Sequence, residues 1–256
     1  MSAAGPDALL RLEAVGKRFG GVRALSDISM SVGKNRIVGV IGPNGAGKTT
    51  LFNLITGAYR SDSGAIVFDG QQITDWPPHR IIRAGLARTF QNIRLFAGMT
   101  VWEHLLVTQH PKGNALRGLL PLRWSNPAVT VRAEQVLKFF GLEKYRDVLA
   151  RTLPYGIQRK VDMARALASG PRLLLLDEPV AGMNHDEADE LRRLLLHLNE
   201  EGLTILLIEH DMAFVMNLCH ELYVLDFGVR IAAGEPAAIR SDPVVLDAYL
   251  GSEAAC

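Results

Sequence analysis

The chain has 256 residues, 48% hydrophobic and 21% charged, and its 28 Lys and Arg against 27 Asp and Glu leave a formal charge of +1. That length buries a sizeable core without disulfides or metals, and the charge balance argues against a basic nucleic-acid-binding sheath, so no nucleic-acid partner is expected. No uncharged apolar run reaches the roughly 18 residues of a bilayer span. Cys219 and Cys256 make neither a disulfide framework nor a metal spacing, which predicts a reduced, cytoplasmic chain. Met1 to Leu12 shows no basic stretch leading into an apolar one, so no secretory leader is expected there.

In chain order, Leu9–Val15, Leu25–Val32 and Arg36–Ile41 alternate or run apolar as strands do. A helix is predicted over Thr49–Thr56, stopped at Gly57, and the turn Asp62-Ser63-Gly64 leads into a short strand at Ala65–Phe68. From about Arg88 to Ala168 the pattern is helical with loops, and Pro111–Asn126 reads as an exposed loop. Asn126 then offers an N-cap with Pro127 at the first helical position. Val129, Ala133, Val136, Leu137 and Phe140 follow at helical spacing until Gly141. Leu173–Leu176 and Thr204–Ile208 are short apolar runs of the kind buried on both faces of a parallel sheet. The alternation predicts an α/β fold forming one domain over 8–251, a helical subdomain over about 92–168 inserted in its core, and flexible ends at 1–7 and 252–256.

Gly42-Pro43-Asn44-Gly45-Ala46-Gly47-Lys48-Thr49 fits the phosphate-binding pattern G-x-x-x-x-G-K-[ST] throughout, between a predicted strand and a predicted helix that continues with Thr50. Glycines let the backbone turn its N–H groups inward at phosphate oxygens, and the helix N-terminus adds partial positive charge. Lys48 is placed to neutralise the β- and γ-phosphates, and the Thr49 hydroxyl to ligate Mg²⁺. A nucleoside triphosphate site also needs a carboxylate at the end of a neighbouring strand, and Leu173-Leu-Leu-Leu-Asp177-Glu178 ends in two. Asp177 is the candidate for holding Mg²⁺, and Glu178 for polarising the attacking water.

These two motifs, with Leu153-Pro-Tyr155-Gly156-Ile-Gln-Arg-Lys160 between them, resemble the ATP-binding-cassette (ABC) ATPases. The resemblance runs from Leu10 to Leu250. It implies a phosphate-loop core with an antiparallel β subdomain and an inserted helical subdomain. It further implies that Phe19 stacks on adenine, that Gln91 links Mg²⁺ to the helical subdomain, and that His210 contacts the γ-phosphate. The signature residues Tyr155 and Gly156, with Asn184 in the loop Val180–Asn184, would close over ATP bound by a partner chain. The usual Leu-Ser-Gly-Gly-Gln is altered: Pro154 stands for the serine, Tyr155 for the first glycine and Ile157 for the glutamine, while Asn184 stands where aspartate is usual. A weakened composite site is the expectation. Arg151 and Arg159 read as solvated charges.

Phe52-Asn-Leu-Ile-Thr-Gly57, Arg88-Thr-Phe-Gln-Asn-Ile-Arg-Leu-Phe96, Met99-Thr-Val-Trp-Glu-His-Leu-Leu-Val107 and Ala248-Tyr-Leu-Gly251 resemble the larger ATPase subunit of branched-chain amino acid importers. That resemblance implies an ATPase peripheral on the inner face of the plasma membrane. It would pair with a second, like or unlike, ATPase beneath two permease subunits that a solute-binding protein serves. Arg94, Leu95, Phe96 and Met99 are the expected permease-docking patch. A urea or amide importer, a lipopolysaccharide-export ATPase and a non-transport ABC ATPase stay open as alternatives, since they would use almost the same chain.

Overall fold

The computed structural model describes residues 8–89, 93–109 and 127–253. Two sheets organise the chain. The first is antiparallel: β1 (Ala8–Phe19) pairs with β2 (Val22–Gly33) on one side and β4 (Ser63–Phe68) on the other, and two-residue β5 (Gln71–Gln72) closes the edge. Between β2 and β4 the chain enters the second sheet as β3 (Ile37–Ile41) and continues into helix α1 (Lys48–Ile55).

The second sheet has the order β10-β9-β3-β8-β7-β6. Its strands are β6 (Leu86–Arg88), β7 (Leu173–Asp177), β8 (Thr204–Ile208), β9 (Glu221–Asp226) and β10 (Val229–Gly234), with β3 among them. All neighbours are parallel except β9 and β10. The side-chain period of two explains why this sheet can be buried on both faces. Ile37 and Ile41, Leu174 and Leu176, Ile205 and Leu207 point to one apolar cluster. Val38 and Val40, Leu173 and Leu175, Leu206 and Ile208 point to the other. The second cluster holds the antiparallel sheet against β3 and α1. There the Tyr223 hydroxyl joins the two sheets, accepting from Ser31 N and donating to Ser31 O, both at 3.2 Å.

The remaining helices are α2 (Pro78–Ala84), α3 (Val101–Val107), α4 (Pro127–Phe139), α5 (Tyr155–Ala168), α6 (His185–Glu200), α7 (Met212–Leu218), α8 (Pro236–Arg240) and α9 (Pro243–Glu253). Helices α3, α4 and α5 pack on one another. Thr100 starts α3 with a capping box, accepting from Glu103 N at 3.2 Å while Glu103 Oε2 accepts from Thr100 N at 2.8 Å. Among the described residues from 93 to 168 the only β pairing is an isolated bridge between Thr100 and Leu149.

Each strand expected from the sequence lies within an observed one, save that β3 starts at Ile37 rather than Arg36, and the two helices with stated starts begin at Lys48 and Pro127. The sequence reading includes neither β6 nor the β9–β10 hairpin, although Leu222 to Leu225 in β9 form an apolar run like those of β7 and β8. Three residues are too few for a period, and β10 is exposed or half-exposed along its length, so no alternation marks it. The loop expected over 111–126, its Asn126 cap and the expected flexible ends at 1–7 and 252–256 lie outside the described residues, except that Ser252 and Glu253 close helix α9.

Candidate functional site

The parallel strands β3, β8 and β7 end together. Val40 and Asp177 both lie in register with Ile208, so Gly42, Glu178 and His210 leave the sheet side by side at its carboxyl edge, where open α/β sheets hold ligands.

The loop from Gly42 to Lys48 is shaped by backbone only glycine adopts readily. A Cβ on Gly42 (φ 145°) would sit 2.0 Å from Leu225 O, and one on Gly47 (φ 100°) 2.8 Å from Ala24 O. Gly45 (φ 82°) faces open space, with nothing within 4 Å of a Cβ there. Asn44, Gly45 and Thr49 are exposed on the rim, Pro43 and Thr50 are half-buried, and Ala46 is buried. Helix α1 starts after Gly47 with no side-chain cap and no acid in its first turn. No side chain caps its first N–H groups, an arrangement that suits a phosphate. Lys48 is buried, and its Nζ donates to Gly42 O at 2.6 Å and Pro43 O at 2.8 Å. Burial lowers its pKa, while the nearby Glu178 and Asp177 carboxylates pull it back up.

Asp177 ends β7 almost fully buried, and its Oδ2 accepts from Arg88 Nη2 at 2.8 Å. Arg88, at the end of β6, also donates through Nη1 to Asn53 Oδ1 at 2.7 Å and lies 5.4 Å from the Phe52 ring centroid, so it ties α1 to the acidic strand. Sequence reading missed Arg88, although it heads the Arg-Thr-Phe-Gln run noted for its glutamine. Gln91 itself lies outside the described residues. Glu178 takes a left-handed conformation (φ 47°) that costs an ordinary residue about 1–2 kcal/mol. It is pinned there: its N–H donates to Ile208 O at 2.9 Å, and its carbonyl accepts from Ala181 N at 3.2 Å and Arg159 Nη2 at 3.3 Å. Arg159 is 2% exposed, which corrects its reading as a solvated charge: it lies inside the molecule, bracing Glu178 from α5. His210 presents a side chain that is 62% exposed.

Phe19 ends β1 partly exposed and meets Tyr59 edge to face, centroids 5.3 Å apart, with Lys17 Nζ 5.4 Å from its ring. Tyr59, just past α1 and also exposed, is a second aromatic that sequence reading did not single out.

The signature residues form another group. Pro154 is the N-cap of α5, without a side-chain hydrogen bond, and Tyr155 and Gly156 open the helix. A Cβ on Gly156 would lie 2.9 Å from Glu187 Oε1, and one on Gly182 would lie 3.3 Å from the Tyr155 ring. Asn184 has a local task as N-cap of α6: its Oδ1 accepts from Glu187 N, and Glu187 Oε2 accepts from Asn184 N, both at 3.0 Å. Gln158 is turned back on its own chain, donating to Leu153 O at 2.7 Å.

A phosphate loop after β3, two carboxylates at the end of β7, one strand removed across β8, and a signature helix between them in the chain define an ATP-binding cassette. Residues 25–181 match the ABC transporter family, and residues 229–255 match the branched-chain amino acid ATP-binding cassette transporter family. The chain belongs to the ABC transporter family as an ATP-binding ATPase subunit. It is 43% identical to the high-affinity branched-chain amino acid transport ATP-binding protein BraF of Pseudomonas aeruginosa, over 95% of this chain and 98% of that one. The corresponding LivG of Escherichia coli strain K12 is 42% identical over the same shares. Among solved structures, the ADP conformation of an ATP-binding cassette of an ABC transporter superposes with a TM-score of 0.85 at 35% identity, over 95% of this chain and 99% of that one.

Proposed function

We propose that this chain hydrolyses ATP to ADP and phosphate to drive uptake of branched-chain amino acids. It would do so as one of two ATPase subunits beneath two permease subunits, on the cytoplasmic face of the membrane. The observation that carries the chemistry is the convergence of Lys48, Asp177, Glu178 and His210 at one sheet edge. The assignment of the solute rests on the match of residues 229–255 and on the relatives. No helix among the described residues is long and apolar enough to cross a membrane, so solute passage falls to other subunits.

The γ-phosphate lies over the first turn of α1, where backbone N–H groups and the Lys48 ammonium receive its charge. Lys48 exchanges its two carbonyl partners for phosphate oxygens. Thr49 and Asp177, with Gln91, hold Mg²⁺. The donor set suits a hard cation: Thr49 offers an exposed hydroxyl at the start of α1, and Asp177 a carboxylate at the end of β7. Bound by these residues, Mg²⁺ would supply charge neutralisation to the phosphates. Glu178, held by its backbone on both sides, takes the proton from a water aligned with the γ-phosphorus, and His210 donates to a γ-phosphate oxygen. Phe19, with Tyr59 behind it, offers a face for adenine. Tyr155, Gly156 and Asn184 act on ATP held by the partner, since the open N-terminus of α5 attracts its terminal phosphate. The segment 92–168 is the subdomain that meets the permease. Phe96 is the exposed apolar group of the docking patch, whereas Leu95 packs against the core.

The test is uptake of labelled leucine by cells lacking this chain and supplied with the wild type or Glu178→Gln. Wild type restores uptake and Glu178→Gln does not. Restored uptake of urea with no effect on leucine would instead assign the chain to the urea and amide importers.

A further inference from the structure

Glu209 follows the last residue of β8, immediately before His210, and is 0% exposed. Its carboxylate is met by backbone from two separate loops. Oε1 accepts from Val180 N at 3.0 Å, within the loop that runs from Glu178 to Asn184. Oε2 accepts from His210 N at 3.0 Å and Asp211 N at 3.4 Å, and lies 3.7 Å from His210 Nδ1. Three donors from two chain segments converging on two oxygens call for a carboxylate. An amide of the same shape has one acceptor oxygen, and its NH₂ would face a backbone N–H. Burial raises the acid's pKa, and the three N–H donors and His210 counter it.

We propose that Glu209 is a positioning residue that joins the Glu178–Asn184 loop to the His210 loop. Glu178 and His210 then approach one γ-phosphate at a fixed spacing, and the segment facing the partner moves with them. The inference rests on reading the site as an ATP-hydrolysing one. It assigns Glu209 no contact with ATP: it acts through two backbone segments, and a side chain that leaves either loop loose should slow chemistry more than binding.

The experiment compares wild type, Glu209→Gln and Lys48→Ala in the purified transporter, following ATP hydrolysis together with amide hydrogen exchange. One lost or opposed hydrogen bond among groups that act in the transition state predicts a kcat about tenfold lower in Glu209→Gln. KM for ATP should stay within roughly threefold. The Val180, His210 and Asp211 amides should be protected in wild type and lose protection together in the variant, while Leu206 in β8 stays protected. A kcat within about twofold of wild type, with the three amides still protected, overturns the proposal. If Glu209→Gln fails to fold, exchange in the wild type decides: Val180 and Asp211 opening in one step supports the link, and freely exchanging Val180 removes it. A wild-type complex with no ATP turnover overturns the parent reading and this one with it. Normal turnover abolished in Lys48→Ala but untouched in Glu209→Gln overturns this one alone.

Discussion

Lys48 sits between opposing demands: burial disfavours its charge, and the carboxylates of Glu178 and Asp177 favour it. Two carbonyl oxygens hold the ammonium in place before any phosphate does. Lys48→Ala should therefore weaken ATP binding by about tenfold or more, as loss of a charge-assisted contact does, with little change in melting temperature. Nucleotide titration measures it, and unchanged affinity would count against the phosphate-loop assignment. Arg88 differs, because its pair with Asp177 is 7% and 5% exposed. Arg88→Ala leaves a buried carboxylate without its guanidinium, which costs about 3–5 kcal/mol. A urea melt should show that loss, and an unchanged midpoint would contradict the pairing. The phosphate loop was legible in the sequence because its geometry is written in local glycines. Arg88 and Glu209 were not, because their partners come from other elements: Asp177 from β7, and Val180 from the loop beyond it. An isolated charge in a sequence carries no mark of what it will meet.

At the scale of elements, β3 shows how closely the sheet is packed. A Cβ on Gly39 would lie 2.5 Å from Leu222 Cδ2 and 3.0 Å from Cys219 Sγ. Overpacking of this kind costs about 1–3 kcal/mol, so Gly39→Ala should lower the denaturation midpoint while keeping the fold. A midpoint equal to wild type would mean that β9 and Cys219 give way freely. Helix α3 carries a pH-dependent contact. His104 is fully buried, its Nδ1–H donates to Thr100 O at 2.8 Å, and its Nε2 accepts from Phe96 N at 2.9 Å. Desolvation lowers its pKa, with the neighbouring Arg165 adding to the shift and the Thr100 bond, Asp162 and Glu103 opposing it. Protonation would set one N–H against another at Phe96. Because the folded pKa is depressed, the unfolded chain takes up the proton first. The stabilisation is present above the ordinary His range and is lost as pH falls through it. Between about pH 7.5 and about pH 5 the melting temperature should fall less in His104→Asn than in wild type. Equal falls would place the acid sensitivity elsewhere. Strands such as β7 and β8 were legible because burial on both faces demands an unbroken apolar run. The β9–β10 hairpin was missed: β9 carries a buried apolar run, Leu222 to Leu225, that the sequence reading passed over, and β10 is exposed or half-exposed with no alternation to mark it.

At the scale of the whole molecule, the phosphate site and the signature group occupy different parts of one chain, and the family resemblance assigns the second to a partner's ATP. That division was legible only through the resemblance: nothing in the local pattern of Tyr155-Gly156 says which nucleotide it faces. Asn184 already serves as the cap of α6, and Pro154 brings no side-chain donor to the start of α5. On the proposed reading, the N-terminus of α5 is then the main attraction toward the partner's phosphate. Turnover, on the same proposed reading, then depends on Glu178 in this chain's own site. The most direct measurement is phosphate release by the transporter purified through this chain, with leucine and its solute-binding protein present or absent, for wild type and for Glu178→Gln. Release that leucine stimulates in wild type, and that falls by about 10²-fold or more in Glu178→Gln with ATP still bound, is the predicted result. Release unaffected by Glu178→Gln would contradict the account.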